Sequence, residues 1–156
     1  MTVGEMGQQP LTALEKPGGQ TIASEPEQTT SDAGVQALDG PFTTRQLLRL
    51  DEALRVADQQ TGLTFSVYVG QLDEPVRDHA EQLHRQIDGA AKAVLVAVSP
   101  NQRVLEIVTG SDARKRISDR DAKLAALSMA ASFAGGDLAG GILAGLDQLA
   151  THAGRH

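Results

Sequence analysis

The chain has 156 residues, no cysteine, no tryptophan and only 3 % aromatics. A single domain with an aliphatic core is expected, without disulfides, thiolate metal sites or a cysteine nucleophile. The formal charge of −6 is unevenly placed: residues 1–40 hold Glu5, Glu15, Glu25, Glu27, Asp32 and Asp39 against Lys16, while the remainder is nearly balanced. Phosphate recognition needs a clustered basic face, so nucleic acid is excluded as a partner.

Residues 1–38 are rich in Gly, Pro, Gln, Thr and Glu and show no sustained apolar period. Such a stretch buries too little surface to offset the entropy of ordering, and a disordered acidic tail is expected there. A folded domain is expected over 39–154. It opens with PFTTRQLLRLDEALRVADQQTG. Thr43 and Gln46 have capping-box spacing, Phe42 and Leu47 fit a hydrophobic staple, and Gly62 suits a left-handed stop. Leu47, Leu50, Leu54 and Ala57 recur at helical spacing.

LTFSVYVG alternates, with Leu63, Phe65, Val67 and Val69 on one face, as a strand does. DEPVRDHAEQLHRQIDG starts with acids and a proline and predicts a helix with the stripe Val76, Ala80, Leu83 and Ile87. AKAVLVAVS reads as a central strand covered on both faces. SPNQ predicts a tight turn with Pro100 in its second position. VLEIVTG then pairs antiparallel with the strand before it, and the strand–helix–strand order makes the first two strands parallel.

The remainder is expected to be helical. Ser118 is placed to cap, with Asp121 as a capping-box partner three residues on. Leu124, Leu127, Ala131 and Ala134 form one stripe and Ala126, Met129, Ala130 and Phe133 another, which predicts a helix buried on both sides. Gly135-Gly136 ends it, and Asp137 caps a last helix carrying Leu138, Ile142, Leu146 and Leu149. Gly141 and Gly145 inside that helix imply close approach to a neighbour, since glycine there costs about 1 kcal/mol against alanine. The fold class is therefore α/β, a layered α/β/α domain with a small mixed sheet, in the order helix-strand-helix-strand-strand-helix-helix.

Residues 124–146 are apolar but interrupted by Asp137 and two Gly-Gly pairs, whereas a spanning helix needs about 20 predominantly apolar residues. No membrane span is expected. No cationic start followed by an apolar run opens the chain, and a cytoplasmic location is expected.

Three stretches carry a family resemblance. LDGPFTTRQLLRLDEALRVADQQTGLTFSVYVG places an Asp ahead of a helix that leads through Thr-Gly to a valine-rich strand. AVLVAVSPNQRVLEIVTG is a strand, a short turn and a strand ending in Gly. ISDRDAKLAAL and SFAGGDLAGGILAGL place an Asp at a helix start and an aromatic-Gly-Asp step before the last helix. This order resembles the TPM domain family of thylakoid-lumen phosphatase, photosystem-repair and channel-modulator type domains. The resemblance implies an α/β fold and two roles: acid phosphatase activity, with Ca2+ binding in some members, or an assembly module that binds another protein. A membrane anchor or Gly-rich tail usually follows such a domain, and neither is expected here.

The residues themselves offer one concentrated chemical candidate, GSDARKRISDRD from Gly110 to Asp121. Arg114, Arg116 or Arg120 could clamp phosphate, and Asp112, Asp119 and Asp121 could hold a hard cation. Four bases among three acids weaken such a cation site, and a charged turn leading to a capped helix explains the same residues. The topology separates Asp39 from this loop and places it beside Asp73 and Ser99. There Gly70, Asp73, Ser99 and Asn101 mark the sheet end where open α/β folds often bind ligands, though no phosphate loop precedes the helix. His79 and His84 lie about 140° apart around a helix and cannot share a metal. His152 and His156 fall at the chain end. No serine sits in a Gly-x-Ser-x-Gly elbow. The leading expectation is a non-enzymatic module with a protein partner, contacted through the small-residue last helix or the acidic tail, and with no cofactor. The alternative is a weak metal-assisted phosphatase using Asp119 and Arg114.

Overall fold

The computed structural model describes residues 41–155; the acidic tail 1–38, Asp39 and His156 lie outside them. Seven elements follow the expected order: α1 (Thr44–Thr61), β1 (Thr64–Val69), α2 (Val76–Arg85), β2 (Ala93–Ser99), β3 (Val104–Thr109), α3 (Asp119–Ala134) and α4 (Leu138–Ala153). The strands form one sheet in the order β1-β2-β3. β1 and β2 are parallel, with Thr64 opposite Ala93, and β2 and β3 are antiparallel, with Ser99 opposite Val104.

Local chemistry fixes the ends of most elements. Thr43 and Gln46 make the reciprocal capping box, and Gly62 closes α1 in the left-handed region at φ 77°. Ser118 accepts from Asp121 N, and Asp137 accepts from Gly140 N. The hairpin turn differs from expectation. Arg103 N donates to Pro100 O, so Pro100 stands first in the turn and Arg103 takes the left-handed conformation at φ 58°. Ser99 is thereby kept as the last residue of β2.

Strand alternation divides the core. Val94, Val96 and Val98 of β2 join Phe65, Val67 and Ile107 under α1, α3 and α4, whereas Leu95, Ala97 and Val108 pack with Leu72 and Ala80 of the α2 side. β2 is buried at every position, as a central strand between two helical layers must be. α2 stops at Arg85, so Ile87 packs from beyond the helix and His84 is buried instead, its Nε2 3.0 Å from Ala93 O.

The last two helices refine the expectation. An added Cβ at Gly145 would fall 1.8–2.8 Å from Met129 side-chain atoms, and one at Gly141 would fall 2.7 Å from Phe133. The glycines therefore let α3 and α4 approach closely, and these small residues are spent inside the molecule rather than offered to a partner. That contact selects the Ala122, Ala125 and Met129 face of α3 for burial. Leu124 and Leu127 point the other way and are 43 % and 61 % exposed, so α3 is not buried on both sides.

Gly110 is a further close approach. A Cβ there would meet Ala90 O at 2.0 Å and Ala91 O at 2.5 Å, both backbone atoms that cannot step aside. Gly110→Ala should lower unfolding stability by about 2–3 kcal/mol in urea melts. Wild-type stability in that variant would show that the strand exit is looser than described.

Candidate functional site

The charged stretch leaves β3 at Gly110 and enters α3 at Asp119. Its backbone is tied to the start of β2: Gly110 N donates to Ala93 O at 2.9 Å and Asp112 N to Ala91 O at 2.8 Å. A short 3₁₀ turn, Ala113–Lys115, follows, and Arg114 N and Ile117 N close it onto Gly110 O and Ala113 O. Ala113 and Ile117 are fully buried. These two apolar plugs, four residues apart, fix the turn and push the charges between them to the surface.

The bases then divide. Arg116 lies across the ends of two helices: Nη1 donates to Thr61 O at 2.7 Å, Nε to Ala153 O at 3.1 Å and Nη2 to Gly154 O at 2.8 Å. Thr61 and Ala153 are the last residues of α1 and α4, whose carbonyls have no partner within their helices. A guanidinium satisfies several of them at once and complements the negative ends of both helix dipoles. Arg116 is therefore engaged by three backbone carbonyls. Arg114 Nη2 donates to Thr109 O at 2.9 Å, while its Nε faces Asp119 Oδ1 at 3.8 Å.

The three acids face three different partners: Asp112 meets Lys115 at 3.6 Å, Asp119 meets Arg114, and Asp121 turns to His152 Nδ1 at 3.6 Å. Among the described residues no three His, Asp or Glu side chains gather where they could hold a metal ion. A calcium ion wants six to eight oxygens, and carboxylates turned to separate cations do not fit it. Arg114 and Asp119, the pair singled out for catalysis, are adjacent but open to water, with Asp119 87 % exposed.

The opposite end of the sheet is closed by the chain's own groups. The Gln102 side chain accepts from Leu72 N and donates to Leu72 O, both at 2.8 Å, and Ser99 donates to Gln102 Oε1. His79 Nδ1 accepts from Asp73 N at 2.8 Å, which fixes its tautomer. Nothing in the sequence local to Ser99, Asp73 or Asn101 announces these bonds, because Gln102 reaches a residue 30 positions away.

Two further features belong to no sequence motif. Asp58, in the last turn of α1, accepts from Phe65 N at 2.7 Å and joins the helix to β1. Burial pushes its carboxyl from 3.8 up to about 6, against the lowering effect of the Phe65 bond. The other feature is a groove of about 540 Å³ between α1 and α4. Leu48, Val56 and Leu143 supply apolar walls, with Arg45, Arg49 and Asp147 at the margins. Leu48 is 65 % exposed. Its sequence signal is the apolar pair Leu48 and Val56 on the outward side of an otherwise well-patterned helix.

Arg116→Lys keeps the charge but cannot span three carbonyls, and should cost about 2–4 kcal/mol of unfolding stability. Arg120→Lys, on the exposed side of the α3 start, should stay within about 0.5 kcal/mol. Equal effects of the two in urea melts would contradict the assignment. For Asp58 the folded chain holds a proton between about pH 4 and 6 that the unfolded chain has released, so its contribution to stability falls as pH rises through that window. Asp58→Asn keeps the acceptor and should gain about 1 kcal/mol at pH 7 after allowance for solvent screening, with the gain closing near pH 4. Denaturant melts at the two pH values check it; a loss at pH 7 would mean the carboxylate charge is needed.

The chain is similar in sequence to some proteins and in fold to others. Two uncharacterized proteins of Mycobacterium tuberculosis are each 29 % identical over 116 residues, 74 % of this chain and 70 % of theirs: MT2543 of strain CDC 1551 / Oshkosh and Rv2468c of strain ATCC 25618 / H37Rv. Solution structures with a similar fold include the BA42 protein of Bizionia argentinensis, at TM-score 0.67 and 16 % identity over 74 % of this chain and 83 % of that one. Another is the N-terminal domain of a P. gingivalis protein, at TM-score 0.65 and 20 % identity over 74 % of this chain and 78 % of that one. At these identities the solved structures establish the fold alone. Residues 17–150 match the family described as "Domain of unknown function (DUF5130)", and the chain belongs to that family.

Proposed function

We propose that the chain is a TPM-like, non-enzymatic module of the cytoplasm that binds a protein segment in the groove between α1 and α4. The observation that carries this reading is the pairing of an apolar floor with unpaired positive charge. Leu48 and Val56 are exposed beside the groove, and Arg45 and Arg49 at its α1 end make no ion pair among the described residues. A fitting partner is apolar along one side and acidic where it meets these arginines, because an interface needs a desolvated apolar centre and a complementary polar rim. The TPM resemblance supports the module reading, and among the described residues no helix is long and apolar enough to cross a membrane.

The reading is tested by placing a photo-crosslinking phenylalanine analogue at Leu48, at Val56 and, as a control, at Gln82 on α2. A discrete protein adduct should form from the first two positions in cells of the source organism and be absent from the third. No adduct, or equal adducts from all three, would overturn it.

The adjacency of Arg114 and Asp119 favours a second reading, a weak metal-assisted acid phosphatase. The module reading expects no hydrolysis of a chromogenic phosphate above buffer, with or without calcium. Turnover by the folded protein that Asp119→Ala abolishes would favour the phosphatase instead.

A further inference from the structure

The outward face of α3 carries a pattern of its own. Leu124, Leu127, Ala131 and Ala134 follow one another at steps of three, four and three residues, the spacing of a seam between two packed helices. All four are exposed. The face through Ala122, Ala125 and Met129 is the one buried in the core. Two leucines of one seam turned to water mark a contact surface.

The order of residues along this seam selects its partner. Both large side chains lie in the first half and both alanines in the second. If two copies of α3 meet antiparallel about a two-fold axis level with Met129, Leu124 falls over Ala134 of the second copy and Leu127 over its Ala131. Large side chains then fill the space that small ones leave. A parallel pair would set leucine on leucine and leave alanine facing alanine across a gap. The charges obey the same operation. Arg120 and Lys123 are exposed and make no ion pair among the described residues, whereas Asp119 is matched by Arg114. The two-fold axis carries Arg120 to the exposed Asp137 of the second copy, beside the negative end of its α3. A surface whose two halves complement each other fits a second copy of itself.

From this order we infer that the chain self-associates through α3, as an antiparallel two-fold pair with Leu124, Leu127, Ala131 and Ala134 along the seam and Arg120 against Asp137 at each end. The alanines bring the helix axes toward the lower end of the roughly 8–10 Å range of packed helices. None of the seam residues lines the α1–α4 groove, so the pairing stands or falls independently of the groove's role.

Sedimentation of the full chain over a concentration series should show a monomer–dimer equilibrium. Leu127→Glu, at an exposed position, should leave the chain monomeric throughout with its circular dichroism unchanged. Arg120→Glu should weaken the dimer, and more so at low salt than at high salt. The absence of cysteine from the sequence also permits a test of register with separate Leu124→Cys and Ala134→Cys chains. Ten residues of helix place these positions about 15 Å apart. A short bismaleimide should therefore join the two variants when they are mixed, and neither variant to itself. This pattern decides the question if Leu127→Glu loses its fold. A chain that stays monomeric up to millimolar concentration, or a dimer that folded Leu127→Glu leaves intact, would overturn the inference. So would cross-linking of either cysteine variant with itself, since the helices would then run parallel.

Discussion

Three carbonyls around one guanidinium hold the α1, α4 and α3 connections of this domain together. Arg116 bonds Thr61 O, Ala153 O and Gly154 O from the turn that follows β3. The two helix ends would otherwise present unmet acceptors, which is costly wherever water is partly excluded. Their convergence on one cation sets how α1 and α4 meet at this end. It also explains a stretch that looks chemical in sequence: four bases and three acids surround two buried plugs, Ala113 and Ile117, and the most enclosed base serves the helix ends.

The rest of the helical layer is built on close approach. Gly145 and Gly141 admit Met129 and Phe133 of α3, which turns Leu124 and Leu127 outward. α4 then has α3 on one side and α1 on another, and the side chains left between α1 and α4 form the groove. Fold and candidate surface thus have a common origin. Small residues bring one pair of helices together, Arg116 joins the ends of the other, and the remaining gap is lined by what those contacts leave over.

What was legible in the sequence is what is decided within a few residues. The Thr43–Gln46 box, the Gly62 stop, the Ser118 and Asp137 caps and the period-two pattern of β1 each depend on neighbours in the chain, and the order of elements follows from them. The role of Arg116 was not legible, because its acceptors lie 37 to 55 positions away. Gln102 and Leu72 are separated in the same way. The alanine-rich α3 carried two stripes of similar apolarity, and only packing on the glycines of α4 could choose between them. Nothing in the sequence singles out Asp58; its raised pKa depends on a corner that exists only once β1 has folded against α1.

The backbone bonds and the carbonyl contacts of Arg116 support the reading of Gly110 to Asp121 as a structural junction. It is tested most directly by titrating calcium, and separately inorganic phosphate, into the ¹⁵N-labelled full chain while following the backbone amides of that stretch. The expected result is no saturable shift at millimolar concentration of either ion. Saturable shifts confined to those residues would contradict the account and restore the stretch as a binding site.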